Sequence, residues 1–116
     1  MTVELESVEL VQMRSRGYCE SSLSPHCTGN GEHLHHRQLR SRGGKDLASN
    51  LVHICHQCHT FIHSSPGAAK SKERGWLVSS WLEPCEVPVR LYRRGWVLLD
   101  MYGGATRVNG DDWSCG

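Results

Sequence analysis

Histidines and cysteines, the side chains that most often bind transition metals, are unevenly distributed along this chain of 116 residues. All eight histidines lie between His26 and His63, and four of the six cysteines lie between Cys19 and Cys58. A chain without metal chemistry would scatter these residues. Their concentration in one stretch, beside several arginines, predicts metal binding close to a phosphate-binding surface.

Two pairs of cysteines indicate a structural zinc site. Cys55-x2-Cys58 has the spacing of one half of such a site. The other half would be Cys19 and Cys27, whose separation is longer than the roughly two to four intervening residues that are typical. Four thiolates around Zn²⁺ would tie the N-terminal arm to the start of a helix and replace part of a small core. Two alternatives stay open: His26 replaces Cys27, or only Cys55 and Cys58 bind metal.

The elements that position these ligands follow in a simple order. Residues 33–37 and 51–54 predict two short strands, and an Arg- and Gly-rich loop at 40–46 joins them. Residues 55–63 predict a helix on which His59 and His63 stand one turn apart and share a face. The predicted order is strand, loop, strand, helix.

The rest of the chain predicts additional short elements. Residues 6–16 fit either a helix or a strand, and residues 68–75 predict one or two helical turns. We expect the segments that contain Trp76 and Trp81 to pack under the metal site, and residues 89–101 to form a β-hairpin. The whole chain is therefore predicted to be one small α+β domain, with a metal-binding core at 14–63, an extension at 64–108 and a disordered tail at 109–116.

Composition and charge limit the function classes. The chain is 38% hydrophobic with a formal net charge of +1, so a field that attracts nucleic acid must come from local clustering. No apolar run reaches the roughly 18 residues of a membrane span, and the acidic N-terminus does not fit a signal peptide. We expect a cytoplasmic protein with reduced cysteines and no membrane partner.

A second constellation resembles a known family. His36, Asn50 and His59 follow one another at fourteen and nine positions. The segment closely resembles the HNH (ββα-metal) endonuclease motif, in which a histidine ends the first strand, an asparagine opens the second and a C-x2-C-H sequence begins the helix. The resemblance covers residues 14–63 and rests on His35-His36, Gly43-Gly44, Asn50-Leu51 and Cys55-His56-Gln57-Cys58-His59. It departs from the family in having His35 where many members have Asp, and a long loop between Cys19 and Cys27.

The resemblance implies a role for each site residue. His36 would be the general base, and His35 and His59 would hold a catalytic divalent ion (Mg²⁺, Mn²⁺, Ni²⁺ or Zn²⁺) with His63 as a third ligand. Asn50 would brace the loop between the strands and so hold His36 in place. The implied catalytic residues are therefore His36, Asn50 and His59. The residues agree with this division, because neighbours on a strand point to opposite sides and a neutral imidazole can accept a proton near neutral pH.

The activity implied by the resemblance is hydrolysis of phosphodiester bonds in DNA, by nicking that leaves 5′-phosphate and 3′-hydroxyl ends. Residues from 64 onward look like small HNH proteins of bacteriophages and actinobacteria, which implies phage origin, a host-cell cytoplasm and a partnership with the terminase in packaging, or homing. Oligomeric state is left open. The residues predicted to contact phosphate are Arg37, Arg40, Arg42 and Lys45; a solvated polar loop is the alternative.

Two rival functions fit parts of the same pattern. The first is a non-catalytic zinc module that binds nucleic acid or a packaging protein; it predicts zinc at the cysteines without a catalytic ion. The second is a restriction-type enzyme that reads modified DNA. That enzyme would need a recognition domain, for which residues 64–116 are too short.

Overall fold

The structure is a computed structural model that describes residues 5–108; the predicted tail at 109–116 lies outside the described residues. The described part contains three α-helices, two short 3-10 helices and five strands in two antiparallel sheets. Their bounds are α1 Leu5–Ser15, β1 His33–His36, β2 Leu51–Ile54, α2 His56–Ile62, α3 Ser65–Glu73, β3 Val89–Leu91, β4 Gly95–Leu99 and β5 Ala105–Arg107, with 3-10 turns at Arg40–Arg42 and Pro84–Glu86.

The first sheet and α2 form the predicted ββα unit. β1 pairs with β2 from His33 opposite Ile54 to His36 opposite Leu51, and α2 follows β2 after one residue. That residue, Cys55, is the N-cap of α2, and its Sγ accepts a hydrogen bond from the backbone N–H of Cys58. The α+β class and the order strand, loop, strand, helix are therefore confirmed.

One hydrophobic core joins the ββα unit to the C-terminal sheet. Trp76 is fully buried in it, as the sequence predicts. β2, α2 and the β3–β4–β5 sheet all contribute to this core. The extension at 64–108 and the ββα unit therefore share one hydrophobic core. The other fully buried members without sulfur are Val52, Ile54, Ile62 and Val89.

The prediction for Trp81 is wrong, because its side chain is 80% exposed. The cause is a tertiary anchor. The Gln38 amide donates hydrogen bonds of 2.9 Å to the carbonyls of Ser79 and Leu82, and these bonds hold the intervening turn at the surface beside the end of β1.

Several other elements differ from, or decide between, the expectations. Residues 5–15 form a helix, α3 is longer than the predicted one or two turns, and β5 adds a third strand to the predicted hairpin. α3 begins after Ser64, whose Oγ accepts from the backbone N–H of Gly67. Within residues 5–108, none of the helices has the length and apolar character that a bilayer span requires.

Candidate metal centres and active site

The four predicted cysteines converge on one point. The sulfurs of Cys19, Cys27, Cys55 and Cys58 all lie within 4.8 Å of one another. The Cys27 and Cys55 sulfurs are 3.8 Å apart, close to the separation of about 3.8 Å that two ligands have in a tetrahedral site with Zn–S bonds of about 2.3 Å. His26 is exposed and outside this cluster, so the long loop returns Cys27 rather than His26 to the site.

The surroundings of the sulfurs lower the pKa of Cys19 and Cys55 and raise the pKa of Cys27 and Cys58. The backbone N–H of Ser24 donates to the Cys58 sulfur and that of Cys58 donates to the Cys55 sulfur, at 3.5 and 3.3 Å. A hydrogen bond from Cys58 lowers the pKa of Cys19 to about 4, and the same bond raises the pKa of Cys58. Four thiols this close compete for one negative charge, whereas a bound divalent cation would favour the thiolate at each of them.

Three histidines form a second cluster. Each of them offers one ring nitrogen as a metal ligand, and these three nitrogens lie within 4.8 Å of one another. The residues are His35 on β1, His59 on α2 and His63 at the end of α2. Their ring centroids are separated by 5.2 to 5.6 Å. Burial lowers the pKa of His35 to about 3, and burial with the nearby His63 lowers that of His59 to about 4. Both rings are therefore neutral at physiological pH and have a lone pair to offer a cation.

Two of these rings are held from outside the cluster. The His35 Nε2 donates to the carbonyl of Trp76 at 2.7 Å, which leaves the lone pair on Nδ1. The Nδ1 of His59 lies 2.8 Å from the Nδ1 of His33, which leaves Nε2 for an ion. Such outer partners fix the tautomer and the orientation of metal-binding histidines. These outer contacts therefore hold His35 and His59 in orientations that direct their free nitrogens toward a divalent ion.

His36 points away from this cluster, as strand alternation predicts. Its Nε2 lies 2.7 Å from the Asp46 carboxylate and 3.2 Å from the Arg40 Nε. One nitrogen cannot donate to the first and accept from the second, and the shorter contact to the charged carboxylate dominates. Nε2 then carries the proton and Nδ1 keeps the lone pair. Arg40 also donates two bonds of 2.9 Å to Asp46, so the carboxylate is held from both sides.

Asn50 directly precedes β2, and both polar atoms of its side chain are bonded to the backbone. Its Oδ1 accepts from the N–H of Gln38 at 2.7 Å, and its Nδ2 donates to the carbonyls of Gln38 and Lys45 at 3.0 Å. The loop between β1 and β2 is thereby closed at both ends. Gly44 is required inside it, because an added Cβ would lie 1.7 Å from the Gln38 carbonyl oxygen.

The expectation that Arg37 contacts phosphate is wrong. Its side chain is fully buried, and its guanidinium donates to four carbonyls at 2.7 to 3.0 Å. Burial lowers the pKa of this guanidinium to about 9. Arg37 therefore ties the end of β1 to the segments after α3. The carbonyls belong to Ser49, Gly75, Pro84 and Val87.

The other predicted phosphate contacts lie at or near the surface. Arg40 is half-buried against Asp46, whereas Arg42 and Lys45 are exposed. Arg42 and Lys45 line a cavity of about 210 Å³ together with Trp81. This arrangement places two cations and an exposed aromatic ring next to the loop that Asn50 closes.

Sequence reasoning missed two residues of the site. A lone histidine such as His33 is usually structural or solvated, yet its ring contacts His59. Strand alternation could have identified His33, since a residue two positions before His35 on a strand shares its face.

Asp46 is the single acid of a basic loop, and the sequence gives it no role. Its contact with His36 spans ten positions of irregular backbone, which no periodicity predicts.

Comparisons with known proteins point in one direction. The family model for HNH endonuclease matches residues 17–65. No curated protein and no solved structure matches the chain. The matched segment contains both clusters, the loop between the strands and all of α2.

Proposed function

We propose that this protein is a metal-dependent nuclease that hydrolyses phosphodiester bonds in DNA, because the family model for HNH endonuclease matches residues 17–65. The observation that carries the proposal is the convergence of His35, His59 and His63 within 4.8 Å inside the matched segment. Three imidazole ligands leave further coordination positions for water and substrate, which is the pattern of catalytic rather than structural sites. We assign Zn²⁺ to the four cysteines and a second divalent ion to the histidines.

The chain's own residues divide the work of hydrolysis. When bound, the divalent ion would supply positive charge to the scissile phosphate and to the leaving 3′ oxygen. His36 accepts a proton from the attacking water at Nδ1, because Asp46 occupies Nε2. Asp46 also stabilises the imidazolium that results. The expected products carry 5′-phosphate and 3′-hydroxyl ends.

Asn50 acts through position rather than by contact with the substrate. Its three hydrogen bonds fix the backbone of Gln38 and Lys45. The segment between these residues carries Arg40 and leads to Asp46, so Asn50 sets the geometry around His36. Loss of this bracing would misplace the base without removing it.

The substrate surface is proposed to lie on the loop between the strands. Arg42 and Lys45 contact phosphates, and Trp81 packs its exposed ring on the sugar or base beside them. Phosphate contacts carry no sequence information, so we propose low intrinsic specificity and nicking of one strand per active site. The resemblance of residues 64–116 to small phage proteins supports a phage origin and a link to the terminase or to homing.

Cleavage of supercoiled plasmid tests the proposal directly. The wild type is incubated with Mg²⁺, Mn²⁺ or Ni²⁺ beside His36→Ala, with His26→Ala as a control in an exposed histidine outside the histidine cluster. We expect metal-dependent nicking that falls about 10²–10⁴-fold in His36→Ala and is unchanged in His26→Ala. Absence of cleavage with every metal, in protein that retains its zinc, would contradict the nuclease and favour the non-catalytic zinc module.

A further inference from the structure

A large cleft lies away from the histidine cluster, between the end of α1, the loop after Cys19 and the β3–β4 turn. Its volume is about 690 Å³, and a neighbouring cavity of about 450 Å³ shares Ser22 and residues of the β3–β4 turn in its lining. We call the two together the Arg–Tyr cleft, after the side chains that distinguish its lining: Arg16, Tyr18, Tyr92, Arg93 and Arg94.

The charge of the Arg–Tyr cleft is uncompensated. Within residues 5–108, the ion pairs are Arg14 with Glu20 and the His36–Asp46–Arg40 group, so none of the cleft's exposed arginines has an acidic partner. Arg74 and Arg90 line the adjoining cavity and extend the positive surface. The acid that lines the cleft, Glu20, is buried and neutralised by Arg14. The net charge of the chain is only +1, so this concentration is local.

The backbone at the Arg–Tyr cleft is unusual. Three non-glycine residues in the described part of the chain have positive φ: Arg16 at 57°, Ser22 at 49° and Arg93 at 69°. All three line the cleft. Left-handed backbone favours glycine, and such positions cluster at functional sites. Arginine at two of them indicates that the side chain, rather than the turn, is what the position requires.

The aromatic rings are presented on a fixed frame. Tyr18 is 66% exposed and Tyr92 is 52% exposed. The N–H of Tyr92 donates to the Glu20 carbonyl at 2.7 Å, and the Arg94 guanidinium donates to the Arg14 carbonyl at 3.0 Å. The Arg93 guanidinium lies 5.3 Å from the centroid of the Tyr92 ring. Cations and flat rings are therefore held side by side in a concave surface.

We propose that the Arg–Tyr cleft binds a single strand of nucleic acid, with phosphates on its arginines and unpaired bases stacked on Tyr18 and Tyr92. Alternating cations and aromatic rings are the means by which proteins hold single strands without reading sequence. A duplex keeps its bases stacked on one another, so its bases would not reach these rings. The assignment does not depend on the nuclease reaction, because the cleft contains no residue of the histidine cluster or of the loop between β1 and β2.

Fluorescence anisotropy of a labelled oligothymidylate tests the proposal. The full chain is used with zinc bound, with His36→Ala to prevent cleavage and without other divalent metal. Tyr92→Ala should raise the Kd about tenfold at every salt concentration, and Tyr92→Phe should restore binding, because stacking needs the ring and not the hydroxyl.

The arginines are tested by salt dependence. Arg16→Gly/Arg93→Gly removes two cations and is compatible with the fold, because glycine favours the backbone at both positions. The slope of log K against log salt should fall by roughly 0.7 for each arginine lost. The matched control is Lys70→Ala/Lys72→Ala, which removes two exposed cations of α3 outside the cleft and should leave the slope nearly unchanged.

Three results would overturn the assignment. One is equal slopes for the arginine and lysine pairs, and another is a Tyr92→Ala variant that binds as the wild type does. The third is a labelled duplex that binds as tightly as the single strand and depends equally on Tyr92. Because binding is measured in His36→Ala without added catalytic metal, it does not require cleavage, and failure of plasmid nicking and failure of the cleft are separate outcomes.

Discussion

The cysteine cluster and the histidine cluster are both groups of close metal-binding side chains, but they differ in completeness and exposure. Cys19 is 4% exposed, and Cys55 and Cys58 are fully buried. In the histidine cluster His35 is buried, His59 is partly exposed and His63 is exposed. Four sulfurs, three of them on buried residues, can satisfy an ion completely, whereas three nitrogens in a cluster that reaches the surface at His63 leave room for water and phosphate. We therefore propose that the first cluster stabilises the fold, whereas the second is suited to chemistry.

The two clusters share one short helix. Cys55 and Cys58 lie at the start of α2, and His59 and His63 lie at its middle and end. A helix of seven residues is too short to be stable alone. The cysteine site and the hydrophobic core must therefore hold α2 before its histidines can meet His35. The histidine cluster is therefore expected to depend on the cysteine site, but not the reverse. The two predictions with the largest expected effects test this dependence.

Loss of the cysteine site should remove both clusters. In Cys58→Ser we expect loss of zinc and of cooperative unfolding, because structural zinc supplies about 10 kcal/mol or more to small domains, which is comparable with a whole fold. Zinc content and the far-UV circular dichroism melt measure the effect. Gln57→Ser, at the exposed neighbour in the same turn, is the control and should melt as the wild type does. A folded Cys58→Ser variant that still nicks DNA would contradict the dependence.

Loss of a histidine should remove activity alone. His59→Ala should reduce plasmid nicking about 10³-fold, because the ion loses one of its protein ligands, while the melting temperature stays within a few degrees of the wild type. His56→Ala, on the same helix and outside the cluster, is the control. Equal losses of activity in the two variants would show that the helix, rather than the ligand, was disturbed.

The sequence predicted well which cysteines and histidines cluster, because metal binding restricts both residue type and spacing. Cys55, Cys58, His59 and His63 lie in one turn-and-helix segment, where spacing alone determines which side chains share a face. His35 and His36 alternate on a strand for the same reason. These are local rules, and the structure follows them.

The sequence failed where the decisive contact is distant. Arg37 stands in a basic stretch, and only the fold brings four carbonyls around its guanidinium. Trp81 has the large apolar side chain of a core residue, but the hydrogen bonds from Gln38 hold its turn at the surface. Asp46 meets His36 across an irregular loop. Hydrogen bonds between distant residues override local propensity, and no periodic pattern in the sequence reveals them.

The arginines repeat the contrast between stability and function on a smaller scale. Arg37→Lys keeps the charge but cannot reach four carbonyls, so we expect a loss of about 3 kcal/mol in the free energy of unfolding, measured with urea. Arg42→Ala should change stability by less than about 0.5 kcal/mol and should weaken DNA binding and its salt dependence. Equal stability of Arg37→Lys and the wild type would show that the buried network is not needed.

The smallest expected effect concerns the carboxylate beside His36. The hydrogen bond from His36, and then Arg40, lowers the pKa of Asp46 below its ordinary 3.8. A carboxyl group whose pKa is lower in the folded chain stabilises the fold above its ordinary pKa, and this contribution is lost as the pH falls through the folded value. Asp46→Asn should therefore be less stable than the wild type at neutral pH, and the two should converge in acid.

Nicking activity of Asp46→Asn shows whether Asp46 assists the base His36 or only stabilises the fold. The side-chain amide carbonyl of the Asp46→Asn variant would still accept from His36 but would not stabilise its imidazolium, so nicking should fall only about tenfold, or about 1.4 kcal/mol in the barrier. Asp46→Ala, which removes the acceptor as well, should lose more. If both variants nick at the wild-type rate while their acid stability changes, Asp46 belongs with Arg37 as a structural residue. His36 would then take up its proton without help from this carboxylate.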